Sequence, residues 1–162
     1  MPISLPPISR RRFLSGTLAT GTVLLTGNRL GAADIKTDPN RFILLADTHI
    51  SGNRDQVACG AHMFANMQQV GRELSDLKER PAGVLIAGDC AYLTGKTEDY
   101  AALIEVLAPI REAGIPVHFA LGNHDHRERF WRAFPETINL DQPVAQKHVR
   151  ILETPRADIV LL

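Results

Sequence analysis

The stretch that decides the fold lies at residues 121–127 and reads Leu-Gly-Asn-His-Asp-His-Arg. An apolar run, residues 115–120, precedes it and predicts a buried strand. The strand would end at Gly122, and three side chains with hydrogen-bonding or metal-binding groups would follow where the backbone leaves the sheet. These side chains belong to Asn123, His124 and Asp125.

Two earlier stretches have the same form. Residues 42–46 are apolar and lead into Asp47-Thr48-His49, and residues 84–87 lead into Gly88-Asp89. Both runs lack alternation, which is typical of strands buried on both faces. Ligands bind at the carboxyl ends of strands in open α/β sheets, so three polar strand ends predict one common site.

Helical patterns separate the three strands. Apolar residues recur at three- and four-residue steps from Val57 to Leu77, and again from Leu103 to Ile110. Thr97 is the predicted cap of the second helix, which Pro109 should kink or end. The order β-α-β-α-β predicts parallel strands with right-handed crossovers. A short helix at 127–134 and strands at 147–153 and 158–162 complete the prediction.

Composition narrows the class of protein. The 162 residues suffice for one domain, and Lys plus Arg equals Asp plus Glu, so no net charge favours a nucleic-acid polymer. No apolar run reaches the roughly 20 residues of a stable membrane span. The two cysteines, Cys59 and Cys90, are interpreted as buried thiols rather than a disulfide. Oligomeric state is left open.

Residues 1–33 have the order of an export signal. Residues 9–14, Ser-Arg-Arg-Arg-Phe-Leu, resemble the twin-arginine signature, a weakly apolar segment follows, and Gly31-Ala32-Ala33 offers small residues for cleavage. This predicts export by the twin-arginine pathway to the periplasm or beyond the cell. Residues 34–40 are interpreted as a polar linker.

The last four residues, Ile-Val-Leu-Leu at 159–162, lie inside an apolar run. Natural domains seldom stop within a buried strand. We therefore expect residues 34–162 to be the front part of a domain that is truncated at its carboxyl end.

The polar side chains at the three strand ends suit a metal. Asp47 and His49 are two apart, so they can hold one ion together, and Asp89 can bridge two ions. With the amide oxygen of Asn123, this mixture of oxygen and nitrogen donors suits Mn, Fe, Zn or Co. Two such ions can hold both ends of an in-line phosphoryl displacement.

Asp47-x-His49, Gly88-Asp89 and residues 122–125 together resemble the first three motifs of the calcineurin-like metallophosphoesterases. The resemblance covers residues 41–162. It implies an α/β fold, the front portion of a β-sandwich flanked by helices, with the second sheet incomplete. It also implies two divalent or mixed-valence metal ions and hydrolysis by a water that they activate. The implied roles are first-metal ligands Asp47, His49 and Asp89; second-metal ligands Asp89 and Asn123; His124 at the scissile phosphate; and Asp125 orienting the ring of His124.

The segment from Gly122 to Phe130 resembles bacterial cyclic-nucleotide phosphodiesterases and glycerophosphodiesterases of that family. This favours a small phosphodiester substrate, with His126 and Arg127 as substrate-binding candidates. A purple acid phosphatase-like monoesterase is the alternative, since Gly88-Asp89-Cys90-Ala91-Tyr92 fits its Gly-Asp-x-x-Tyr pattern. Those enzymes lack the histidine that this chain has at position 49, so Tyr92 is interpreted as a packing residue.

The family pattern continues with a lone histidine and a Gly-His-x-His motif, neither of which is recognisable here. His148 is considered as a substitute for the lone histidine. Because those histidines are metal ligands in the family, the resemblance predicts poor activity for the chain as it stands. A non-catalytic remnant that binds metal weakly is therefore the other alternative.

Overall fold

The computed structural model describes residues 36–138, 144 and 146–162. The predicted export signal at 1–33 lies outside the described residues. The elements, in chain order, are β1 (Thr37–Ala46), β2 (Val57–Ala58), β3 (Ala61–His62), α1 (Met63–Ser75), β4 (Arg80–Ala87), α2 (Thr97–Glu112), β5 (Val117–Ala120), α3 (Arg127–Ala133), a 3₁₀ turn (Pro135–Thr137), β6 (Arg150–Glu153) and β7 (Asp158–Leu161).

A three-stranded parallel sheet with the order β1-β4-β5 positions the candidate site. The register pairs Ala46 with Ala87 and Ala87 with Ala120, so the carboxyl ends of the three strands lie level. This confirms the predicted parallel β-α-β-α-β order. The central strand β4 is buried as predicted, whereas the edge strand β1 exposes Leu44 by 68%.

Strand β1 begins earlier than its apolar run. Thr37 pairs with Arg80 and Asp38 with Pro81, ahead of an irregularity in the register before Phe42. The prediction of a polar linker over residues 34–40 is therefore wrong for residues 37–40. Pairing with the start of β4, rather than side-chain hydrophobicity, extends the strand.

The two longer helices supply about half of the buried core residues. Helix α1 buries Phe64, Met67 and Leu74, and α2 buries Leu103, Val106, Leu107 and Ile110. The helices approach closely at Gly71, where a Cβ would lie 3.1 Å from the carbonyl oxygen of Val106. Truncating a buried leucine such as Leu107 to alanine should cost about 2–5 kcal/mol.

Helix α2 differs from its prediction at its cap, and Pro109 does not end it. Thr97 is its first residue, and the cap is Lys96, whose backbone N–H donates to the carboxylate of Asp99 at 2.8 Å. Pro109 lies inside the helix, which continues to Glu112. Gly114 follows with φ +75°, a left-handed C-terminal conformation that glycine adopts without strain.

The first helix begins six residues later than the apolar pattern suggested. Residues 57–62 instead form the antiparallel pair β2–β3, in which Val57 faces His62 and Ala58 faces Ala61. The turn residues Cys59 and Gly60 both have positive φ, 51° and 77°, as in the tight turns that join such strands.

Strands β6 and β7 form a separate antiparallel hairpin, in which Arg150 pairs with Leu161 and Glu153 with Asp158. Both strands were predicted around Pro155. Of the two cysteines, Cys90 is buried as predicted, but Cys59 is exposed, and both are free thiols. Within the described residues, no helix is long and apolar enough to cross a membrane.

Candidate metal centre

The loops that follow β1 and β4 run side by side beyond the sheet. The backbone N–H of His49 donates to the carbonyl of Asp89 at 2.9 Å, and that of Ile50 donates to the carbonyl of Cys90 at 3.0 Å. The polar residues after the two strands are therefore held next to each other by the backbone itself.

Three predicted ligands meet at this point, and we refer to Asp47, His49 and Asp89 as the Asp–His–Asp cluster. Nε2 of His49 lies 3.9 Å from Oδ1 of Asp47 and 3.9 Å from Oδ2 of Asp89. One ligand atom from each residue lies within 4.8 Å of the other two. An ion with bonds of about 2.0–2.2 Å would need only a small contraction of this set. The donors present therefore fit a divalent transition metal.

Backbone strain accumulates around this cluster. Asp47, His49 and Asp89 all have positive φ, between 43° and 51°, and Leu93 beside them has φ 53°. Non-glycine residues seldom adopt this left-handed conformation, and when they do the strain is commonly found at functional sites. All three ligand candidates lie just beyond the regular strands, which end at Ala46 and Ala87.

Asp89 links the second and third strand ends. Its Oδ1 accepts a hydrogen bond from the backbone N–H of His124 at 2.9 Å, while Oδ2 faces His49. The close approach requires Gly122, because a Cβ at that residue would lie 2.1 Å from Oδ1 of Asp89.

His124 lies beside the cluster. Its ring packs edge-on against the ring of His49, with centroids 5.2 Å apart. Nδ1 of His124 contacts the carbonyl oxygen of Leu93, which can only accept a hydrogen bond. Nδ1 therefore carries a proton, and Nε2 is the nitrogen left to react. Asn123 lies between Gly122 and His124, the two residues that approach Asp89, and is exposed.

The predicted contact between Asp125 and the ring of His124 is wrong. The carboxylate of Asp125 is turned into the protein and accepts four hydrogen bonds, and the carbonyl of Leu93 holds the ring instead. The four donors are the backbone N–H groups of Cys90 (3.0 Å), Ala91 (3.1 Å) and Gly122 (2.9 Å) and the hydroxyl of Tyr100 (3.2 Å).

Tyr100 was missed by the sequence reasoning. It lies on α2, is fully buried, and its hydroxyl also accepts a hydrogen bond from the backbone N–H of His126 at 2.7 Å. Burial, reinforced by the charge of Asp125, raises the pKa of this phenol, so it keeps its proton. Its spacing of three residues before Leu103, on the buried stripe of α2, is the one signal that points to it in the sequence.

His126 and Arg127 have local structural roles. Nδ1 of His126 accepts a hydrogen bond from the backbone N–H of Arg129 at 3.4 Å and so caps α3. The guanidinium of Arg127 lies over the ring of Trp131, 5.4 Å from its centroid. Their predicted contact with substrate stays a prediction.

His148 does not substitute for a metal-binding histidine. Its Nδ1 accepts a hydrogen bond from the indole N–H of Trp131 at 3.2 Å, and its Nε2 is paired with the carbonyl of Phe119 at 3.0 Å. With both ring nitrogens engaged and the side chain buried, it is a core residue. His62 is likewise engaged, since it caps α1 through the N–H of Ala65.

Cys90 directly follows Asp89 but is not a candidate ligand. Burial raises the pKa of its thiol well above the usual range, and the charge of Asp125 adds to the effect. Its Sγ faces the carbonyl oxygen of Ala120 at 3.8 Å. Within the described part of the chain, Cys90 is not among the residues whose ligand atoms converge. The side chains that converge in the described part of the chain offer oxygen and nitrogen donors.

A groove is lined by residues that follow His49 and residues that follow Asp89 in the chain, although no residue of the cluster lines it. It has a volume of about 850 Å³ and lies between the loop after His49 and the loop that holds the ring of His124. Its walls carry hydrogen-bonding side chains, among them Asn53, Gln56, Tyr92 and Lys96. The buried carboxylate of Asp99 holds the two loops together, accepting from the N–H of Gly52 and of Lys96 at 2.8 Å each.

Comparison with known proteins agrees with this geometry. Residues 40–157 match the family described as calcineurin-like phosphoesterase. A probable cyclic nucleotide phosphodiesterase of Rhodopseudomonas palustris is 32% identical over 98 residues, which is 59% of this chain and 33% of that protein. The matched part thus spans about a third of the length of this curated relative.

Proposed function

This chain belongs to the calcineurin-like phosphoesterase family, and on that premise we propose that it acts in metal-dependent hydrolysis of a small phosphodiester. The observation that carries the proposal is the convergence of Asp47, His49 and Asp89 at the level ends of two parallel strands. His124 stands against this cluster from the third strand end.

The cluster would hold one divalent ion, and Asp89 with Asn123 would hold a second. Such ions act as Lewis acids and lower the pKa of water when bound. The identity of the metals, Mn, Fe, Zn or Co, is open within this proposal. Among the described residues, the proposal assigns three donors to the first ion and two to the second, which predicts weak binding of the second ion.

The residues of the chain have distinct parts in this proposal. Asp89 orients the third strand end through its bond to the N–H of His124, and this places the imidazole beside the cluster. Because the carbonyl of Leu93 is paired with the proton on Nδ1, Nε2 is the nitrogen that would give a proton to the departing alkoxide oxygen, leaving a neutral ring that carries its proton on Nδ1.

A diester is favoured over a monoester for two reasons. The curated relative is named as a probable cyclic nucleotide phosphodiesterase. The groove lined by Leu93, the residue whose carbonyl holds the ring of His124, also offers room and hydrogen-bonding partners for a second substituent on phosphorus. His126 and Arg127 are proposed as further substrate contacts at the start of α3.

The test uses the purified chain with Mn²⁺, bis(p-nitrophenyl) phosphate as diester and p-nitrophenyl phosphate as monoester. Turnover of the diester should require Mn²⁺ and should be lost in Asp47→Asn but kept in Asp76→Asn, an exposed aspartate at the end of α1. Turnover that is indifferent to both metal and Asp47 would refute the proposal.

Measuring the binding of Mn²⁺ alongside the turnover of both esters separates the two alternatives. Binding of Mn²⁺ without turnover of either ester would favour a non-catalytic metal-binding chain. Preference for the monoester, together with a purple charge-transfer band that appears when the chain is loaded with ferric iron and that Tyr92→Phe abolishes, would favour the phosphatase-like alternative.

We also propose export by the twin-arginine pathway, on the strength of residues 9–14. Residues 1–33 fused to a reporter that folds in the cytoplasm should carry it to the periplasm. Replacing Arg10 and Arg11 by lysine should block this export, and replacing Arg12 by lysine should not, because only the first two arginines match the signature. Equal export of all three fusions would contradict the assignment.

A further inference from the structure

We propose that Asp125 and Tyr100 are positioning residues that hold the second and third strand ends at the separation the metal site requires. The inference deepens the proposed function and rests on it, since it assigns a purpose to contacts around the same cluster.

The first support is where the donors to Asp125 come from. Cys90 and Ala91 directly follow the metal-ligand candidate Asp89, and Gly122 directly precedes Asn123. A single carboxylate therefore joins the backbone on both sides of the site. Helix α2 contributes the fourth donor, the hydroxyl of Tyr100.

The second support is that every hydrogen-bond acceptor position of the Asp125 carboxylate is occupied. An ionised carboxylate has about four positions at which it can accept hydrogen bonds, and all four are used here. No acceptor position is left for a metal ion or for the imidazole of His124. Asp125 therefore acts on the site through the backbone that it fixes.

The third support is the tight packing around the hydroxyl of Tyr100, which donates to Asp125 and accepts from the N–H of His126. Gly95 has φ +55°, and a Cβ there would lie 2.5 Å from that hydroxyl and 2.6 Å from the nitrogen of His126. The loop that ends at Gly95 also contains Leu93, whose carbonyl holds the ring of His124. Tyr100 thus connects Asp125 to the segment that orients His124.

The hydrogen bond from the N–H of His124 to Asp89 reports directly on the separation of the two strand ends. Its exchange with solvent deuterium can be measured by NMR on the metal-free chain, and Mn²⁺ affinity can be measured separately from the EPR signal of free Mn²⁺. The variants are Asp125→Asn and Tyr100→Phe, with Asp55→Asn in an exposed loop as the matched control.

In Asp125→Asn we expect exchange at His124 to accelerate about 10-fold or more and Mn²⁺ affinity to fall about 10–100-fold, as for other groups that orient metal ligands. Tyr100→Phe should also accelerate the exchange at His124 and weaken the binding of Mn²⁺, but by smaller factors. Asp55→Asn should change neither the exchange nor the affinity. Amides of Leu103, Val106 and Leu107 in the core of α2 should keep their protection. If Asp125→Asn does not fold, Tyr100→Phe decides by the same two readouts.

Unchanged exchange at His124 and unchanged affinity would overturn the inference. So would a uniform loss of protection across α2, because that pattern belongs to general destabilisation. If the unmodified chain binds no Mn²⁺, the proposed function fails, and the exchange at His124 alone then decides whether Asp125 and Tyr100 hold the strand ends.

Discussion

The backbone N–H of His124 donates a hydrogen bond of 2.9 Å to Oδ1 of Asp89, so the third strand end is fastened to a side chain of the second. The other oxygen of that carboxylate faces His49. One aspartate therefore connects all three strand ends.

His49→Asn should weaken the binding of Mn²⁺ or Zn²⁺ by at least about 100-fold, because it removes the only imidazole of the Asp–His–Asp cluster. Mutating residues that merely hydrogen-bond to metal ligands already lowers metal affinity about 10–100-fold. Titration calorimetry measures the loss. The control is His62→Asn, in which asparagine can still cap α1. Equal affinities of the two variants would contradict a role for His49 as ligand.

Gly122→Ala should destabilise the fold by about 3 kcal/mol, near the upper end for inserted groups, because the new Cβ would collide with Asp89. Chemical denaturation measures the change. Gly60→Ala is the control: its Cβ would meet open space, and its positive φ should cost only about 1 kcal/mol. If Gly122→Ala is no worse than Gly60→Ala, the two strand ends are not in contact in solution.

Leu93→Gly should stabilise the metal-free protein by up to about 1 kcal/mol, because glycine relieves the left-handed strain at φ 53° and the side chain is already exposed. Leu44→Gly, at an equally exposed leucine in β1, should destabilise by about 1 kcal/mol. The midpoint of thermal unfolding, measured for each of the two variants and for the unmodified chain, tests this difference. A loss of stability in both variants would argue against strain at Leu93.

Stability should fall as the pH decreases below about 6.5, the ordinary pKa of histidine. Burial lowers the pKa of His148 and of His118 in the folded protein, and the charge of Arg150 lowers both further, although the carbonyl of Phe119 and the charge of Asp125 oppose the shift of His148. The unfolded chain therefore binds more protons in the window between the lowered and the ordinary pKa, and stability is lost as the pH falls through it.

The variant that tests this pH dependence is His148→Gln, which can donate to Phe119 and accept from Trp131 without titrating. Its unfolding free energy, measured from pH 8 to pH 5, should change less than that of the unmodified chain. Parallel curves would show that His148 contributes nothing to the pH dependence.

The main sheet was predictable because its strands are marked by apolar runs that end in polar residues. The start of β1 at Thr37 was not, since pairing with Arg80 and Pro81 creates it and the local residues are polar. The β2–β3 pair was hidden by apolar residues at helical spacing. Its turn did leave a signal, because Gly60 permits the positive φ that the turn requires.

The candidate site, like the fold, could be predicted from the sequence only in part. Asp47, His49 and Asp89 were identified from residue type and position, and the structure brings them together. The environment of Asp125 could not be deduced, because three of its four partners are backbone N–H groups that every residue but proline possesses. For the same reason the carbonyl of Leu93 was not foreseen as the partner of His124.

The side chain of Asp47 is 67% exposed, in contrast to the 13% of Asp89. A hydrated cation arriving from bulk solvent can replace its water shell stepwise at this carboxylate before it reaches the inner ligands. Loading and release then need no opening of the protein, so a strong chelator such as EDTA should strip the ion within seconds, and the occupied fraction should follow the free metal concentration of the surroundings.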